Sequence, residues 1–499
     1  GGRGRRGGGV TPRRDVLRLG ALAGAGLALA GCDRAADALS RALGADVPAG
    51  IEAPSGEVEP ARHLLDRAAF GPWPGDVARV RRMGLDAWID EQLAPASIDD
   101  AAAEVRTARI DTAGLPPRHL FAFRPSVLEE ELVARTLLDA VYSRRQLEQV
   151  MVHVWSDHVH VAIGKGLCRE LVTVDDREVA RAHALGSFRE IVRASVTSPA
   201  MLVYLDGCEN KKGSPNENHA RELLELHTLG VHGGYTQRDV MEAARCLTGW
   251  VVADRGLAAG TASFDPARHD DGEKVVLGVR FPAGEGARDV DRLVDVLTDH
   301  PSCARHVATR LCRAFVADEP PARAVDDAAS AFTASRGAIA PVVRSILRSE
   351  AFGASARGKL KRPFRFVVSA LRALGADATG RGDVARALAA MGQSPFSYPT
   401  PDGPPERGAA WLGSLLGRFD FALRLAAGRV EGARVDVDRI ARAVGDRGDG
   451  LALFAHLLGR APSGAERAAV ARFRASGEAR AKPHAALGVM LASPGFQWT

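Results

Sequence analysis

The sequence has few cysteines for its length, six among 499 residues. None of them forms a CxxC pair, and those other than Cys32 are Cys168, Cys208, Cys246, Cys303 and Cys312. An odd number without paired spacing argues against a disulfide framework and against a cysteine-ligated zinc cluster. We therefore expect these five residues to be free, buried thiols, with one late disulfide as the alternative.

The sequence also lacks the short fingerprints of several enzyme classes. It contains no GxSxG nucleophile motif, no P-loop, no HExxH zinc motif and no dinucleotide-binding fingerprint between a strand and a helix. No reaction can therefore be assigned from a known catalytic motif, and candidate sites have to be found from the spacing of polar residues.

An excess of positive charge is missing from most of the chain. The sequence has 66 Lys and Arg and 61 Asp and Glu, a formal net charge of +5. Residues 1–31 hold six of the basic residues and one acidic residue, which leaves 60 of each sign from residue 32 onward. Affinity for nucleic acid depends largely on a basic surface, so we expect no nucleic-acid partner.

The N-terminal segment "TPRRDVLRLGALAGAGLALAGC", Thr11–Cys32, has the order of an export signal: basic residues, a short apolar run, small residues and a cysteine. The apolar run is shorter than the about 20 residues of a membrane-spanning helix. Arg13 and Arg14 resemble the twin-arginine export motif, and the residues before Cys32 resemble a lipobox. We therefore expect export by the twin-arginine route and anchoring in the lipid bilayer of the bacterial cell envelope through Cys32. The alternative is an ordinary apolar N-terminal helix.

Composition divides the chain into three segments. Residues 1–31 are expected to be the signal peptide, and residues 32–58, which end in Pro, Gly and Ser, the lipidated cysteine and a flexible tether. Residues 59–499 show no second linker and no repeat, which predicts a single domain. The length also allows two closely packed lobes.

Apolar residues recur at helical spacing along most of this domain, whereas alternating strand patterns are scarce. The best strand pattern is "EKVVLGVRF", Glu273–Phe281, which predicts a hairpin. We therefore predict a mainly α, multi-helix globular domain with a small β-hairpin insertion.

The segment "SPNENHARELLELHTLG", Ser214–Gly230, predicts a helix with a polar stripe. Ser214 and Glu217 fit an N-terminal capping box, and Gly230 fits a C-terminal stop. At roughly 100° per residue, four polar side chains fall along one arc between leucines. They are Asn218, Arg221, Glu222 and Glu225.

Two interpretations of this stripe remain open. Arg221 can pair with Glu225, and Asn218 with Glu222, at i,i+4 spacing, which would make the stripe a structural network or a solvated face. If the stripe is buried, its charges need one another, a metal or a ligand, because unpaired buried charges are costly.

A second helix is predicted over Arg144–Val161. Its apolar stripe includes His158, whereas His153 and His160 are predicted to face solvent. A lone histidine on an apolar face is more often a satisfied core residue than a ligand.

If His158 packed against Glu222 and Glu225, one imidazole and two carboxylates would converge from two helices. Helical bundles build carboxylate–histidine metal sites from facing helices, and the same groups suit acid–base chemistry. We therefore name His158, Glu222 and Glu225 as candidate catalytic residues and as candidate ligands of a divalent metal.

The loop "FDPARHDDGEK" before the predicted hairpin places His269 beside Asp270 and Asp271. Histidine next to aspartate suits proton transfer or metal binding, and loops often carry function. The same residues are also typical of an ordinary Asp-Gly turn without a functional role. We name His269 and Asp270 as candidate catalytic residues and Lys274 as a candidate binding residue.

These segments resemble a bacterial family known as domain of unknown function 1800. The resemblance extends from "ARHLLDRAAFGPWPGDV" to "ASPGFQ" and covers essentially the whole domain, with its most specific block around Ser214–Gly230. The positions that match the family's motifs are Trp155, His158, Asn216, Glu217, Asn218, Arg221, Glu222, Glu225, His269, Asp270, Gly272 and Lys274.

On this match we name Asn216, Glu217, Asn218 and Arg221 as further candidate binding residues. The chain departs from the family pattern at His219, where an aromatic is more frequent, and at Arg365, where many members have an acid. We assign no functional role to either position. The proline-rich segment Tyr398–Leu412 is similar to one of the family's variant loops.

The family resemblance implies mostly α structure, export and frequent encoding beside another exported, sulfatase-like protein, but no established reaction. We therefore weigh two functions. The first, slightly favoured, is a lipid-anchored envelope scaffold or assembly partner of another exported protein. The second is a metal-dependent or acid–base envelope enzyme, hydrolase-like, that uses the histidine and the two glutamates.

Overall fold

The computed structural model describes residues 29–476 and 484–499. Arg13 and Arg14 of the predicted export motif lie outside these residues, and so does the side chain of Cys32. The described part of the chain is mainly α-helical with small two-stranded sheets, which confirms the predicted fold class. None of its helices has the length and the apolar character that crossing a bilayer requires.

Helices in the described ranges are numbered α1 to α26 in chain order. They are Leu29–Ser40, Pro60–Ala68, Asp76–Met83, Leu85–Gln92, Ala101–Thr107, Pro117–Leu120, Pro125–Tyr142, Gln146–His158, Cys168–Asp175, Phe188–Val196, Pro199–Tyr204, Asn218–Glu222, Gln237–Cys246, Arg288–Thr298, Pro301–Phe315, Ala322–Ala334, Ile339–Leu347, Glu350–Gly353, Pro363–Ala373, Asp383–Ala390, Leu415–Ala426, Val437–Ala443, Leu451–Leu458, Gly464–Ala475, Ala485–Ala492 and Pro494–Gln497. Stretches of π-helix are Arg41–Ala45, Asp176–Arg181 and Leu223–Thr228.

Six short strands form three antiparallel pairs in the described residues. They are β1 (Trp250–Val252) with β2 (Ala262–Phe264), β3 (Lys274–Val276) with β4 (Val279–Phe281), and β5 (Asp377–Ala378) with β6 (Ala433–Arg434). The pair β3–β4 is the predicted hairpin. Its two turn residues, Leu277 and Gly278, have φ of 51° and 78°, the positive values that a tight hairpin turn requires.

Local sequence explains where many of the helices begin. Proline occupies the first position of α2, α6, α7, α11, α15, α19 and α26, where its missing N–H has no helical partner to lose. Thr236 begins α13 with a capping box: its hydroxyl accepts from the Asp239 N–H, and the Asp239 carboxylate accepts from the Thr236 N–H.

One hydrophobic cluster includes buried residues from Ala45 to Phe496 and forms the centre of the molecule. The five cysteines at 168, 208, 246, 303 and 312 are free, as predicted, and all but the partly buried Cys208 are buried. Burial raises the pKa of the Cys168 thiol to about 12, so it is protonated at neutral pH.

The segment predicted to be a flexible tether instead packs on the domain over much of its length. Asp37 on α1 forms a buried ion pair with Arg106 on α5 at 2.7 Å, and the Ser40 hydroxyl donates to the carbonyl of Ala102. Farther along, the N–H of Ile51 donates to the carbonyl of Ala443. Composition could not reveal these contacts, because their partners lie far away in the sequence.

Candidate functional site

The helix predicted over Ser214–Gly230 begins later and changes type. Helix α12 starts at Asn218, and its backbone continues without a break into the π-helix Leu223–Thr228. The expected capping box does not form; the side-chain oxygen of Asn210 accepts from the Asn216 N–H and holds this segment outside the helix. π-Helical turns are rare and are frequently found at functional sites.

The polar residues of the stripe make other contacts than those predicted. Arg221 donates to Glu217 at 3.0 Å and to Gln237, rather than pairing with Glu225. The Asn218 side chain donates to the carbonyl of Leu205, rather than to Glu222. Asn218 and Arg221 of the stripe therefore lie at the surface beside Glu217, and Arg221 joins α12 to the start of α13.

Glu222 and Glu225 remain partly buried beside each other. Burial, and then the charge of the neighbouring Glu225, raise the pKa of Glu222 above its ordinary value. Asp402, from the proline-rich loop, acts on Glu222 in the same direction. The same loop packs closely on α8, since a Cβ at Gly403, whose φ is +70°, would lie 2.3 Å from the carbonyl oxygen of Asp157.

His158 lies in a different environment from the two glutamates. Its Nε2 donates to the carbonyl of His227 at 2.9 Å, and its ring contacts those of Trp155, Phe188 and His306. Burial, and then the charge of Arg310, keep the pKa of His158 well below its usual range, so the ring is neutral at pH 7. Its Nδ1 is buried without a hydrogen-bond partner.

The predicted metal site of His158, Glu222 and Glu225 is not formed. Among the residues that the structure describes, no group of three or more His, Cys, Asp or Glu side chains is placed to hold a metal ion. The charges that act most strongly on His158 come from Arg310 and two histidines, with no carboxylate among them. A catalytic role for any one of the three residues stays a prediction.

His160 is buried and His153 is largely buried, contrary to the prediction that they face solvent. Helix α8 ends at His158, so His160 no longer follows the helical direction and is buried with Nε2 bonded to the carbonyl of Tyr398. His153 stacks on Phe364 at 4.6 Å, and burial lowers its pKa to about 4 despite the nearby Asp157. Helical periodicity correctly predicted that His158 is buried, but its prediction that His153 and His160 face solvent was wrong.

The loop with His269 forms a buried network around an aspartate that the sequence analysis missed. Asp289 on α14 accepts from His269 Nε2 at 3.2 Å and from Lys274 Nζ at 2.6 Å, and all three side chains are buried. Burial alone would raise the pKa of Asp289, but these two hydrogen bonds bring it below its ordinary value. His269 Nδ1 faces the carbonyl and hydroxyl of Thr248, so both ring nitrogens are engaged within the protein.

Asp270 belongs to a surface ion pair next to this network. Arg245 on α13 donates to both carboxylate oxygens at 2.8 and 3.1 Å, which lowers the pKa of Asp270 to about 2. Its Oδ1 also accepts from the N–H of Gly272, the arrangement of an Asp-Gly turn. Asp270 and Lys274 therefore have structural partners, and the functional roles predicted for them stay untested.

A family model described as "Protein of unknown function (DUF1800)" matches residues 63–498. The chain belongs to this family. No curated protein and no solved structure matches the chain.

The DUF1800 match includes the stripe of α12, the His269 network and the proline-rich loop, so the geometry above describes the family's domain in this chain. Three neighbours of these elements escaped the sequence analysis: Asp289, Asp402 and His227. Asp289 resembles an ordinary acid in the first turn of a helix, and Asp402 resembles a turn residue. Only tertiary contacts assign them to the candidate site.

Proposed function

We propose that this DUF1800 protein is exported, anchored in the cell envelope through Cys32, and acts as a scaffold that binds a helix of another exported protein. The export and anchoring parts of the proposal rest on Arg13, Arg14 and the residues before Cys32. The scaffold part rests on one surface feature, an exposed apolar stripe on α21 and the 3-10 turn before it.

The stripe consists of Leu412, Leu416, Phe419 and Leu423. Their exposed fractions are 53, 82, 44 and 40 %, and Leu415 beside them is also exposed. Single exposed apolar residues are common, but a contiguous row of them marks an interaction surface. Opposite this row, α21 buries Phe421 and Leu425 in the core, so the helix is held to the protein by its other face.

The spacing within the stripe indicates what binds there. Within α21, Leu416, Phe419 and Leu423 are three and four residues apart, as are a and d positions in a coiled coil, where each side chain inserts between residues of a facing helix. Asp420 and Arg424 lie beside the row and pair weakly at 3.7 Å. A mixed pair of charges suits the rim of a protein interface better than contact with an anionic bilayer, which favours Lys and Arg alone.

The test is a binding measurement with a matched pair of variants. We expect the wild-type protein to co-purify from its own envelope with one partner in constant ratio, and the two purified proteins to bind in solution. Leu416→Glu should weaken this complex at least tenfold without changing the melting temperature. Leu257→Glu, at an 89 % exposed position outside the stripe, is the control and should bind normally. Equal binding by both variants, or self-association in place of a partner, would exclude the proposal.

A second candidate, acid–base catalysis of hydrolysis, is favoured by one observation. Glu222 is partly open to solvent, and burial together with Glu225 raises its pKa, which is the property of a general acid. Glu225 would then be the second carboxyl group of the site.

This candidate is tested with a panel of chromogenic esters, glycosides, phosphates and sulfates. Glu222→Gln should abolish any hydrolysis that the purified protein shows, whereas Glu209→Gln, at an exposed site outside the pair, should not. Hydrolysis that survives in the Glu222→Gln variant would exclude the role.

A further inference from the structure

A cavity of about 70 Å³ lies among α2, α8, α15 and the start of α19, and six of the fifteen residues that line it are Lys or Arg. One water needs roughly 10–15 Å³ by the same measure, so the cavity has room for several waters or one small polyatomic group. Its cationic side chains are Arg67, Arg310, Arg313, Lys359, Arg362 and Arg365. None of these residues belongs to the stripe of α12, the His269 network or the apolar stripe of α21.

Acidic side chains neutralise only half of these cations. Arg362 pairs with Asp157 at 2.7 Å, and Lys359 pairs with Asp318. Arg310 and Arg313 share Glu406 at 3.5 and 3.6 Å, longer than a charge-assisted hydrogen bond.

Arg67 and Arg365 bond to backbone oxygens. Arg67 donates to the oxygens of Phe315, Val316, Ser355 and Thr499. Arg365 donates to those of Asp66, Ala69 and Arg67. Six cations therefore face three acids, and a carboxylate at Thr499 would still leave an excess of two positive charges.

The cavity also contains N–H donors without acceptors. The Nε atoms of Arg67, Arg310 and Arg313 are buried and make no hydrogen bond, although that of Arg310 faces Glu406 Oε1 at 3.5 Å. Arg67 is only 2 % exposed, so bulk water cannot supply the missing hydrogen bond to its side chain. Buried donors are nearly always paired in folded proteins, and an unpaired donor beside a charged group costs several kcal/mol. Two donors without an acceptor among the lining side chains, and a third at the limit of hydrogen bonding, indicate that an acceptor belongs there.

The charge of the cavity persists at neutral pH. Burial, and then the charges of Arg67 and Arg362, lower the pKa of Arg365 to about 9, and burial lowers that of Arg67 to about 10. Both groups are still protonated at pH 7. They repel each other in this state, and a bound anion would relieve that repulsion.

We propose that this cavity binds a doubly charged tetrahedral oxyanion, either free or as the phosphate or sulfate group of a larger ligand. Guanidinium groups are suited to this ligand because their planar N–H pairs match the spacing of two phosphate or sulfate oxygens. The volume admits one such group and excludes a large polyanion from the interior. Any larger ligand has to leave its remaining part outside, on the side of the half-exposed Arg313.

Isothermal titration of the purified protein with inorganic phosphate, sulfate and acetate tests this, with ionic strength held constant by sodium chloride. We expect saturable binding of phosphate or sulfate at one site and a melting temperature that rises with the anion. Acetate carries one charge and should bind at least tenfold more weakly. Acetate binding as tight as that of the dianions, or no saturable binding of phosphate and sulfate, would overturn the proposal.

Three variants locate the site. Arg313→Gln should weaken anion binding at least tenfold, whereas Arg305→Gln, which removes a cation from the exposed face of the same helix, should leave it unchanged. Glu406→Gln removes an acid from the cavity wall and should tighten binding several-fold. Glu406→Gln therefore tests the location of the site even if the Arg313→Gln variant does not fold. Equal effects of the two arginine variants, or weaker binding after Glu406→Gln, would place the anion elsewhere.

Discussion

Asp37 and Arg106 form an ion pair in which both side chains are more than nine-tenths buried, with 2.7 Å between Oδ1 and Nη1. The pair attaches α1 to α5 and brings the N-terminal helix onto the body of the protein. Asp37 follows Cys32 by five residues, which is about 7.5 Å along a helix axis at 1.5 Å per residue. A lipid on Cys32 would therefore hold the domain close to the bilayer rather than at the end of a long tether.

Asp37→Ala is expected to lower the free energy of unfolding by about 2 kcal/mol, because it removes a buried charge-assisted hydrogen bond and leaves Arg106 with Asp377 as its remaining carboxylate partner. Urea denaturation of the purified protein measures this. The control is Asp326→Ala, whose partner Arg305 is exposed, and there the loss should stay below about 1 kcal/mol. Equal losses in both variants would show that α1 does not depend on the buried pair.

Replacing Arg13 and Arg14 together by Lys is expected to keep the protein in the cytoplasm, since the twin-arginine pathway recognises the arginine pair. Cys32→Ser should allow export but release the protein from the membrane fraction and abolish labelling with radioactive palmitate. Cys208→Ser is the control for loss of a cysteine and should be labelled like the wild type. Labelling of the Cys32→Ser variant would contradict lipidation at that residue.

The fold class and the hairpin could be predicted because they depend on local patterns. The spacing of apolar residues that predicts a helix lies within that helix. The hairpin is recognised from two short alternating stretches with Leu277 and Gly278 as the turn between them. The free thiols were the favoured expectation from the number and spacing of the cysteines. Each of these features involves residues that are close in the sequence or a property of the whole chain.

The candidate site could not be predicted to the same depth, because long-range hydrogen bonds decided its geometry. The side-chain oxygen of Asn210 accepts a hydrogen bond from the N–H of Asn216, so α12 begins later than predicted. The π-helix that follows then changes the direction of every later side chain. Asp289 became a partner of His269 only because α14 packs against the hairpin loop. The cationic cavity joins segments that lie far apart in the sequence, so only the tertiary fold brings its side chains together.

Asp289→Asn is expected to lower the free energy of unfolding by about 3 kcal/mol, because Lys274 would keep its buried charge without a carboxylate partner. Urea denaturation at pH 7 measures the change. Asp291→Asn lies on the same helix, where Asp291 pairs with the half-exposed Arg193, and serves as the control with a loss below about 1 kcal/mol. If the Asp289 variant is as stable as the control, the network is not a structural one and the catalytic interpretation of His269 gains support.

Buried neutral histidines should make the protein sensitive to mild acid. Burial lowers the pKa of His153, His219 and His456 to about 4 and that of His227 to about 3, whereas an unfolded histidine has a pKa of about 6.5. Between these values the unfolded chain binds more protons than the folded one. The stabilisation is therefore complete above about pH 6.5 and is lost as the pH falls toward 4.

Each of these histidines should contribute up to about 1.4 kcal/mol of stability per pH unit in that range. Urea denaturation at pH 7.5, 6.5, 5.5 and 4.5 should therefore give a free energy of unfolding that is flat at first and then falls steeply. His456→Gln keeps a side-chain donor for the carbonyl of Ala373 but removes one titrating ring, so its curve should be less steep. The exposed His232 is the control, and its replacement by Gln should leave the slope unchanged. A wild-type curve that stays flat down to pH 4.5 would contradict the neutral, buried state of these rings.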